Sequence, residues 1–215
     1  MKTYISELRK AVYTVITNWY DKLREPFERE SGWDYFCFSD TYQKSRVWKV
    51  LRVSGPDKRR LSRLPKIKWF DYLDYDITIY VDANWKIIKS LDEIIETHHK
   101  YGHHSAFRHW DRDCVYEEAK LVAKMKKSET LHCNRYAKML KRTGFPKHAG
   151  LMANGFMIRG KELSKEPYQR WWHDVQHYSY RDQLSFMPNA QDLQLNFIPQ
   201  RFRFDYLRAF NHGLQ

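Results

Sequence analysis

The chain has 215 residues, of which 42% are hydrophobic and 16% aromatic. That composition supplies enough apolar surface for a packed core and excludes an intrinsically disordered protein. A formal charge of +12, from 38 Lys and Arg against 26 Asp and Glu, favours an anionic partner, such as a nucleotide, a nucleic acid, an acidic glycan or an anionic membrane surface. Because the basic residues are spread along the chain, charge alone does not select among these partners.

The cysteines Cys37, Cys114 and Cys133 are odd in number and far apart. This spacing argues against a disulfide framework or a zinc ribbon and predicts a reducing compartment, the cytoplasm. No stretch reaches the roughly 18 apolar residues of a spanning helix, so the sequence predicts a soluble protein and leaves peripheral membrane contact open. No repeat, linker or charge block divides the chain, and we expect one domain over residues 1–215.

Strand and helix patterns alternate along the first half of the chain. Residues 11–17 are apolar and β-branched, which is typical of a strand buried on both faces of a parallel sheet. The elements expected next are strands at 34–40 and 46–51, a basic helix at 57–64 that ends before Pro65, and a strand at 77–82. This β-α-β alternation predicts an α/β, Rossmann-like fold, with a central, mostly parallel mixed sheet flanked by helices.

The second half continues with a clear helix start. Ser90, with Glu93 three residues later, forms a capping box for a helix that runs to about His98. Further elements are expected as a strand at 105–109, helices at 115–125 and 131–141, a strand at 155–160 and a helix at 166–178. The histidines between 98 and 104 lack a cysteine or carboxylate at metal-site spacing, so they predict a loop cluster rather than a zinc site.

The strand at 77–82 ends in Asp82, and Asn84 follows two positions later. Side chains at i and i+2 point to the same side, at the sheet edge where open α/β folds bind ligands. Two oxygen ligands suit Mg²⁺ or Mn²⁺, which leave coordination positions for a substrate's phosphates. The alternative is a turn, since Asp commonly forms turns after strands.

A cluster of basic side chains precedes this strand. Arg59 and Arg63 are i, i+4 neighbours on the expected helix, with Arg60 and Lys66 close by, so several cationic groups could bind one anionic ligand. A solvated cationic face is the alternative. The position just before the Asp82 strand favours phosphate binding.

Two other segments are dense in ionisable groups. In the first, Asp111 or Asp113 could cap the following helix, but His109 and Trp110 crowd the same turn, as in a sugar-binding lip of hydrogen-bonding and stacking groups. In the second, residues 179–186, Asp182 either completes a helix cap or supplies the carboxylate that a transferase needs near its reacting centre.

In their order and spacing, these pieces resemble the nucleotide-sugar glycosyltransferases of the GT-A type. The likeness is to the hexosyltransferase-like family catalogued as a domain of unknown function, and to the glycosyltransferases with which large DNA viruses of the chlorella type decorate their capsid glycoprotein. Its landmarks are Tyr20-Asp21 with Glu25-Pro26, residues 35–40, residues 60–65, residues 80–84, and residues 108–118 with 181–186.

The resemblance implies a single GT-A domain that binds a UDP-sugar donor with Mn²⁺ or Mg²⁺ and transfers the sugar to a glycan or glycoprotein acceptor. It implies no nucleic-acid partner and, for a viral protein, the host cytoplasm. Asp82 and Asn84 take the first and third positions of the D-x-D motif, and His212 is the implied third metal ligand. Asn84 replaces the usual carboxylate with a neutral amide, which contributes less charge to binding a dication.

The resemblance also distributes the remaining roles. Around the base and ribose it places Thr14, Asn18, Tyr20, Asp21 and Asp40, and facing the diphosphate Arg60 and Arg63, with Asp82 beside them. For the sugar and acceptor it implies Arg108, His109, Asp111, Asp113, Asn154, Gly155 and Gln183. An inverting enzyme needs a carboxylate to deprotonate the acceptor hydroxyl, for which Asp182 and Asp174 are the candidates, whereas a retaining enzyme does not need that base.

A rival hypothesis from a different class is a basic nucleic-acid-binding protein or nuclease. Scattered Lys and Arg would bind phosphates, and Trp48, Trp69 and Trp85 would stack on bases. These tryptophans lie at strand-like positions that are typical of a core or a pocket wall. We therefore expect the transferase.

Overall fold

The computed structural model describes residues 6–125 and 130–213. The strands of the described chain are β1 (Lys10–Ile16), β2 (Trp33–Ser39), β3 (Lys49–Arg52), β4 (Ile77–Val81), β5 (Trp85–Ile87), β6 (His103–Arg108), β7 (Met152–Gly160), β8 (Gln194–Ile198) and β9 (Leu207–Ala209). Its α-helices are α1 (Lys58–Leu61), α2 (Leu64–Ile67), α3 (Leu91–His98), α4 (Val115–Lys124), α5 (Thr130–Arg142), α6 (Glu166–His177), α7 (Asp182–Asn189) and α8 (Arg203–Tyr206). Short 3₁₀ helices cover Trp69–Asp71 and Gln200–Phe202.

A seven-stranded sheet with the order β3-β2-β1-β4-β7-β6-β8 forms the centre. Its strands are parallel except β7, which runs antiparallel to its neighbours β4 and β6. The predicted α/β fold with a mostly parallel mixed sheet is therefore confirmed. The chain builds outward from β1 through β2 to β3 and then returns to place β4 on the other side of β1. That reversal creates a switch point at the carboxyl ends of β1 and β4, where open α/β sheets bind ligands.

Burial explains why β1 forms at the centre. All seven of its residues are buried, and side chains alternate between two apolar layers, with Val12 and Ile16 in one and Tyr13 and Val15 in the other. A strand that is covered on both faces needs a mostly apolar run of this kind. The predicted strand at 11–17 is confirmed within one residue at each end.

The basic segment before β4 differs from the prediction. The expected single helix at 57–64 is two short helices, α1 and α2, and Pro65 lies in the first turn of α2 rather than after a helix end. Proline is tolerated there because the first-turn N–H groups have no partner inside the helix. Asp57 caps α1 by accepting hydrogen bonds from the backbone of Arg59 and Arg60.

The predicted caps have mixed outcomes. Ser90 accepts a hydrogen bond from the Glu93 backbone at the start of α3, which confirms that cap. The residue at the N-cap of α4 is Cys114, so the expectation that Asp111 or Asp113 caps this helix was wrong. Asp182 is the first residue of α7 rather than its cap.

The tryptophans invoked for base stacking belong to the core. Trp48 and Trp69 are 6% and 3% exposed, and Trp85 packs against a core cluster, so the first two cannot stack on a nucleic acid. In the described chain, no helix combines the length and apolar character needed to cross a bilayer.

Candidate active site

Asp82 directly follows β4 at the switch point of the sheet. Its backbone N–H donates to the Gly155 carbonyl at 2.8 Å, and the Tyr80 hydroxyl donates to its Oδ1 atom at 2.6 Å. About a third of the side chain, 35%, stays exposed. The carboxylate is therefore fixed in orientation but open to a ligand.

A bulge in β7 makes room for this carboxylate. Ala106 of β6 pairs with Met157, whereas the next residue, Phe107, pairs with Ala153, so residues 154–156 are extra in β7. Within the bulge, Gly155 lies so close to Asp82 that a Cβ atom would come 2.7 Å from Oδ2. Because a Cβ atom at this position would collide with that oxygen, only glycine fits here.

Asn84 is held by the chain that follows β9. Its Nδ2 atom donates to the Phe210 carbonyl at 3.1 Å, and the Phe210 N–H donates to the Asn84 carbonyl at 2.8 Å. The Asn84 Oδ1 atom is buried and has no hydrogen-bond partner within residues 6–125 and 130–213. A buried acceptor without a partner is costly, and a bound cation would satisfy it.

The same C-terminal segment brings His212 to the site. β9 pairs with β5, which begins one residue after Asn84. His212 Nδ1 lies 3.1 Å from both carboxylate oxygens of Asp21, and its ring is 5.2 Å from that of Tyr20. The bond to Asp21 raises the pKa of His212, and the negative charge of Asp82 contributes in the same direction. The structure thus brings together Asp82, Asn84, His212 and the Tyr20-Asp21 loop.

A buried ion pair lies behind Asp82. Lys66 Nζ is 2.6 Å from Asp182 Oδ2 and 3.7 Å from Asp82 Oδ1, and Arg63 Nε is 3.7 Å from Asp182 Oδ1. Burial raises the pKa of Asp182, but Lys66 and Arg63 outweigh it, so the net pKa lies below its usual value. Asp182 is therefore a carboxylate held ionised by two cations.

The carboxylate of Asp40 stabilises the loop after β1. Asp40 accepts a hydrogen bond from the Asn18 backbone at 2.8 Å and lies 3.0 Å from Lys58 Nζ. Burial raises the pKa of Asp40, but the Asn18 N–H group and Lys58 outweigh it, so the net pKa is lowered. Asn18 has φ of 57°, a left-handed conformation that Asn tolerates better than most residues. Asp40 thus fixes the turn that presents the exposed Trp19 and Tyr20.

Three predicted site residues are buried or hydrogen-bonded away from the group around Asp82. Thr14 is 1% exposed inside β1 and does not reach the site surface. Arg60 Nε donates to the Val175 carbonyl at 3.0 Å, and its Nη1 atom lies 2.5 Å from Asp57. Asp174 accepts hydrogen bonds from the Tyr136 hydroxyl and the Asn189 amide, each at 2.7 Å.

An open cleft of about 550 Å³ lies at the loop after β6. Its lining includes the predicted residues Arg108, His109, Asp111 and Asp113. His109 Nδ1 accepts the backbone N–H groups of Asp111 and Arg112, at 3.2 and 3.1 Å, and its ring stacks on Trp110. Burial, followed by the charge of Arg112, lowers the pKa of His109. His109 is therefore a neutral ring that shapes this loop.

The predicted sugar-side residues of β7 and α7 differ in their bonding. Gln183 Nε2 donates to the Met152 carbonyl at 3.0 Å. Asn154 is 4% exposed, and neither atom of its amide has a hydrogen-bond partner among the residues that the structure describes. This amide belongs to the bulge, one residue before the glycine that lies against Asp82.

Two basic residues have contacts at the site that the sequence did not indicate. Lys66 was grouped with the basic helix, yet its side chain is 7% exposed and lies between two carboxylates. The positive charge of Arg181 acts on Asp182 and also on His109 and His212. Its buried Nε atom has no hydrogen-bond partner in the described chain. The adjacent Arg181 and Asp182 were the available sequence signal for these cations, because a buried carboxylate requires cations nearby.

Comparison with known proteins defines the class of fold. No family model and no curated protein matches the sequence. The apo structure of the bifunctional glycosyltransferase WbbM is similar, with a TM-score of 0.52 and 9% identity over 89% of this chain and 39% of that one. The chain thus spans about two fifths of the length of WbbM.

Two further glycosyltransferase structures are similar at slightly lower scores. Mouse xyloside xylosyltransferase 1 has a TM-score of 0.49 and 10% identity, with 88% of this chain and 84% of that one covered. The galactosyltransferase LgtC, solved with donor and acceptor sugar analogs, has a TM-score of 0.49 and 10% identity, with 90% and 74% covered. The likeness to WbbM shows that the chain has the predicted GT-A fold.

Proposed function

We propose that this protein is a metal-assisted glycosyltransferase. It moves a sugar, which we take to be a hexose, from a UDP-sugar to a glycan or glycoprotein acceptor. The observation that carries the proposal is the group at the carboxyl end of β4. There Asp82 is part exposed, the Oδ1 atom of Asn84 has no partner within the described chain, and the charge of Asp82 acts on the imidazole of His212. The likeness to the hexosyltransferase-like and viral families stays a prediction.

The donor atoms of this group fit Mg²⁺ or Mn²⁺. Asp82 and Asn84 offer hard oxygen ligands. His212 can offer its Nε2 atom, because Asp21 engages Nδ1 and such a carboxylate commonly orients a metal-binding histidine. When bound, the dication would neutralise charge that develops on the leaving nucleoside diphosphate. The single carboxylate of the set supports weak binding that the nucleotide itself strengthens.

The chain's own cations would supply further electrostatic stabilisation. The Arg181 Nε atom has no partner among the described residues, and the charge of Arg181 acts on Asp182 and His212, so this group could donate to a phosphate oxygen. Lys66 and Arg63 hold Asp182 ionised and so fix the start of α7. Preorganised donors of this kind stabilise a leaving group without reorganising during the reaction.

The bulge of β7 supports a role in holding the donor sugar. Asn154 is buried with both amide atoms unpaired in the described chain, and a buried amide of this kind needs a partner. A sugar hydroxyl can both donate to its oxygen and accept from its nitrogen. The cleft that includes Arg108, Asp111 and Asp113 would then take the acceptor.

All three cysteines are free and buried. This supports the proposal that the protein works in a reducing compartment such as the cytoplasm.

Thermal unfolding with nucleotides tests the function. UDP with Mn²⁺ should raise the melting temperature, since a ligand of the native state stabilises it, and Asp82→Ala should remove the increase. Asp74→Ala is the matched control, because Asp74 is 88% exposed and pairs with Arg9 away from the site. Slow donor hydrolysis across a panel of nucleotide sugars would then identify the sugar. No shift with any nucleotide and metal, together with salt-dependent binding of polynucleotide, would refute the proposal in favour of nucleic-acid binding.

A further inference from the structure

Three side chains with different metal-binding atoms meet beside the acceptor cleft. The side chains are those of Cys114, Glu117 and His148. Each offers one ligand atom, and the three atoms all lie within 4.8 Å of one another. Cys114 is buried at the N-cap of α4, Glu117 is exposed in its first turn, and His148 is exposed in the loop between α5 and β7. None of them belongs to the group around Asp82.

The fold holds the histidine against the helix start. The Gly150 N–H donates to the Asp113 carbonyl at 2.9 Å, which attaches the loop to the residue before Cys114. His148 has φ of 55°, and its Nδ1 atom lies 2.7 Å from Asp113 Oδ1. One ring nitrogen is therefore bonded to a carboxylate, and the other is left for a ligand.

We propose that Cys114, Glu117 and His148 bind one transition-metal ion of the zinc class. Thiolate, imidazole and carboxylate are the ligands that zinc takes in proteins, and three of them leave the fourth position for water. A thiolate is a poor ligand for Mg²⁺ or Mn²⁺, so this donor set differs in kind from the one at Asp82.

The three ligand atoms need to move only a short distance to coordinate one ion. Bond lengths of about 2.0 to 2.3 Å place tetrahedral ligand atoms roughly 3.3 to 3.8 Å apart. Since the three atoms already lie within 4.8 Å of one another, no pair has to approach by more than about 1.5 Å. Glu117 and His148 are both exposed and can supply that movement by side-chain rotation. Asp113 is then the second carboxylate that commonly orients a zinc-bound histidine.

The position suggests what the ion does. Asp113 and His148 both line the cleft of about 550 Å³, together with Ala149 and Gly150. A metal bound to Cys114 and His148 joins the start of α4 to this loop. It thereby fixes one wall of the cleft independently of the chemistry at Asp82.

Cobalt titration of the chelator-treated full chain tests the site, because tetrahedral Co²⁺ gives visible absorption and a thiolate ligand adds a near-ultraviolet charge-transfer band. The wild type should bind one Co²⁺ with that band, and Zn²⁺ should displace it. Cys114→Ser should lose the band. His148→Asn tolerates the left-handed backbone but lacks the imidazole, and it should weaken binding at least about tenfold, as should Asp113→Asn.

Two controls separate this site from other sources of signal. Cys37→Ala removes a thiol whose pKa burial raises to about 12, and Asp82→Asn alters the candidate active site, so both should keep the band. Circular dichroism and the melting temperature establish that each variant is folded. If Cys114→Ser does not fold, the result for His148→Asn alone decides whether the site exists. A wild type without the band, or a band that persists in both Cys114→Ser and His148→Asn, overturns the proposal. So does a band lost only in Asp82→Asn.

Discussion

The ammonium group of Lys66 lies 2.6 Å from Asp182 Oδ2, with both side chains 7% exposed. The same nitrogen is 3.7 Å from Asp82 Oδ1 and 4.9 Å from the centre of the Tyr80 ring. Because the lysine lies between two acids from distant parts of the sequence, it couples the start of α7 to the end of β4. Its charge therefore contributes to stability and to the electrostatics of the site together.

Lys66→Met keeps the length of the side chain but removes the charge. It should destabilise the protein by about 3 kcal/mol, because loss of one partner leaves Asp182 buried with only the more distant charges of Arg63 and Arg181. Denaturant unfolding measures the loss. In a double-mutant cycle with Asp182→Asn, the double variant should be more stable than the sum of the single losses predicts. Additive losses would mean that the pair is not coupled.

Gly155→Ala tests the close approach of β7 to the carboxylate. The new Cβ atom would lie 2.7 Å from Asp82 Oδ2 and 3.1 Å from Trp85 Cη2, so the acid must move. The stabilisation by UDP and Mn²⁺ should be lost while the apo melting temperature falls only slightly. Gly55→Ala is the control, since its Cβ atom would first meet Leu61 at an ordinary 3.4 Å. An unchanged nucleotide response in Gly155→Ala would contradict the assigned role of Asp82.

The buried strands could be predicted from sequence because their signal is local. β1 and β4 are mostly apolar runs in which every residue is buried. β5, β8 and β9 were overlooked because they are short or only partly buried, and β5 forms by pairing with β9 from the far end of the chain.

The same distinction applies to the site. Asp82 and Asn84 could be found because a strand end is a local feature. Lys66 was assigned to a phosphate-binding basic cluster, and its burial against Asp182 could not be predicted because Asp182 lies far along the chain. Gly155 inside β7 is a local sign of a bulge, but it does not predict that the Asn154 amide is buried there without a partner in the described chain.

Asn84→Asp tests whether this position binds metal. A second carboxylate should tighten Mn²⁺ binding about tenfold or more, because the added charge faces the cation. Without metal the variant should melt lower, since the new carboxylate lacks the Nδ2 donor to the Phe210 carbonyl and opposes that carbonyl with a second acceptor. Calorimetric titration with Mn²⁺ and UDP measures the affinity, and thermal unfolding without metal measures the stability. Equal Mn²⁺ affinity in both proteins would remove Asn84 from the ligand set.

The stereochemistry of transfer should be retention. Both candidate bases are engaged: Asp182 pairs with Lys66 and Arg63, and Asp174 accepts bonds from Tyr136 and Asn189. The lowered pKa of Asp182 makes it a weak acceptor for a hydroxyl proton. Proton NMR of the first product should therefore show the anomeric configuration of the donor. An inverted product would require a base outside this pair.

Acid should destabilise the protein in part through His104. The ring is fully buried with Nδ1 2.8 Å from the Tyr168 hydroxyl, and burial, followed by Arg159, lowers the pKa of His104 well below 6.5. Below that pH the unfolded chain binds a proton at His104, whereas the native state does not. Stability that is present above pH 6.5 is therefore lost on acidification. His104→Gln does not titrate and should be less stable at neutral pH.

The difference between the two proteins isolates this one group, because the other histidines are common to both. Between pH 6.5 and 5.5, the stability advantage of the wild type over His104→Gln should shrink by about 1 kcal/mol, as expected for one proton bound only by the unfolded chain. Urea unfolding at both pH values measures it. An advantage that stays constant or grows would mean that His104 becomes protonated in the native state, and its buried Nε2 atom, which has no partner in the described chain, would then have to gain one.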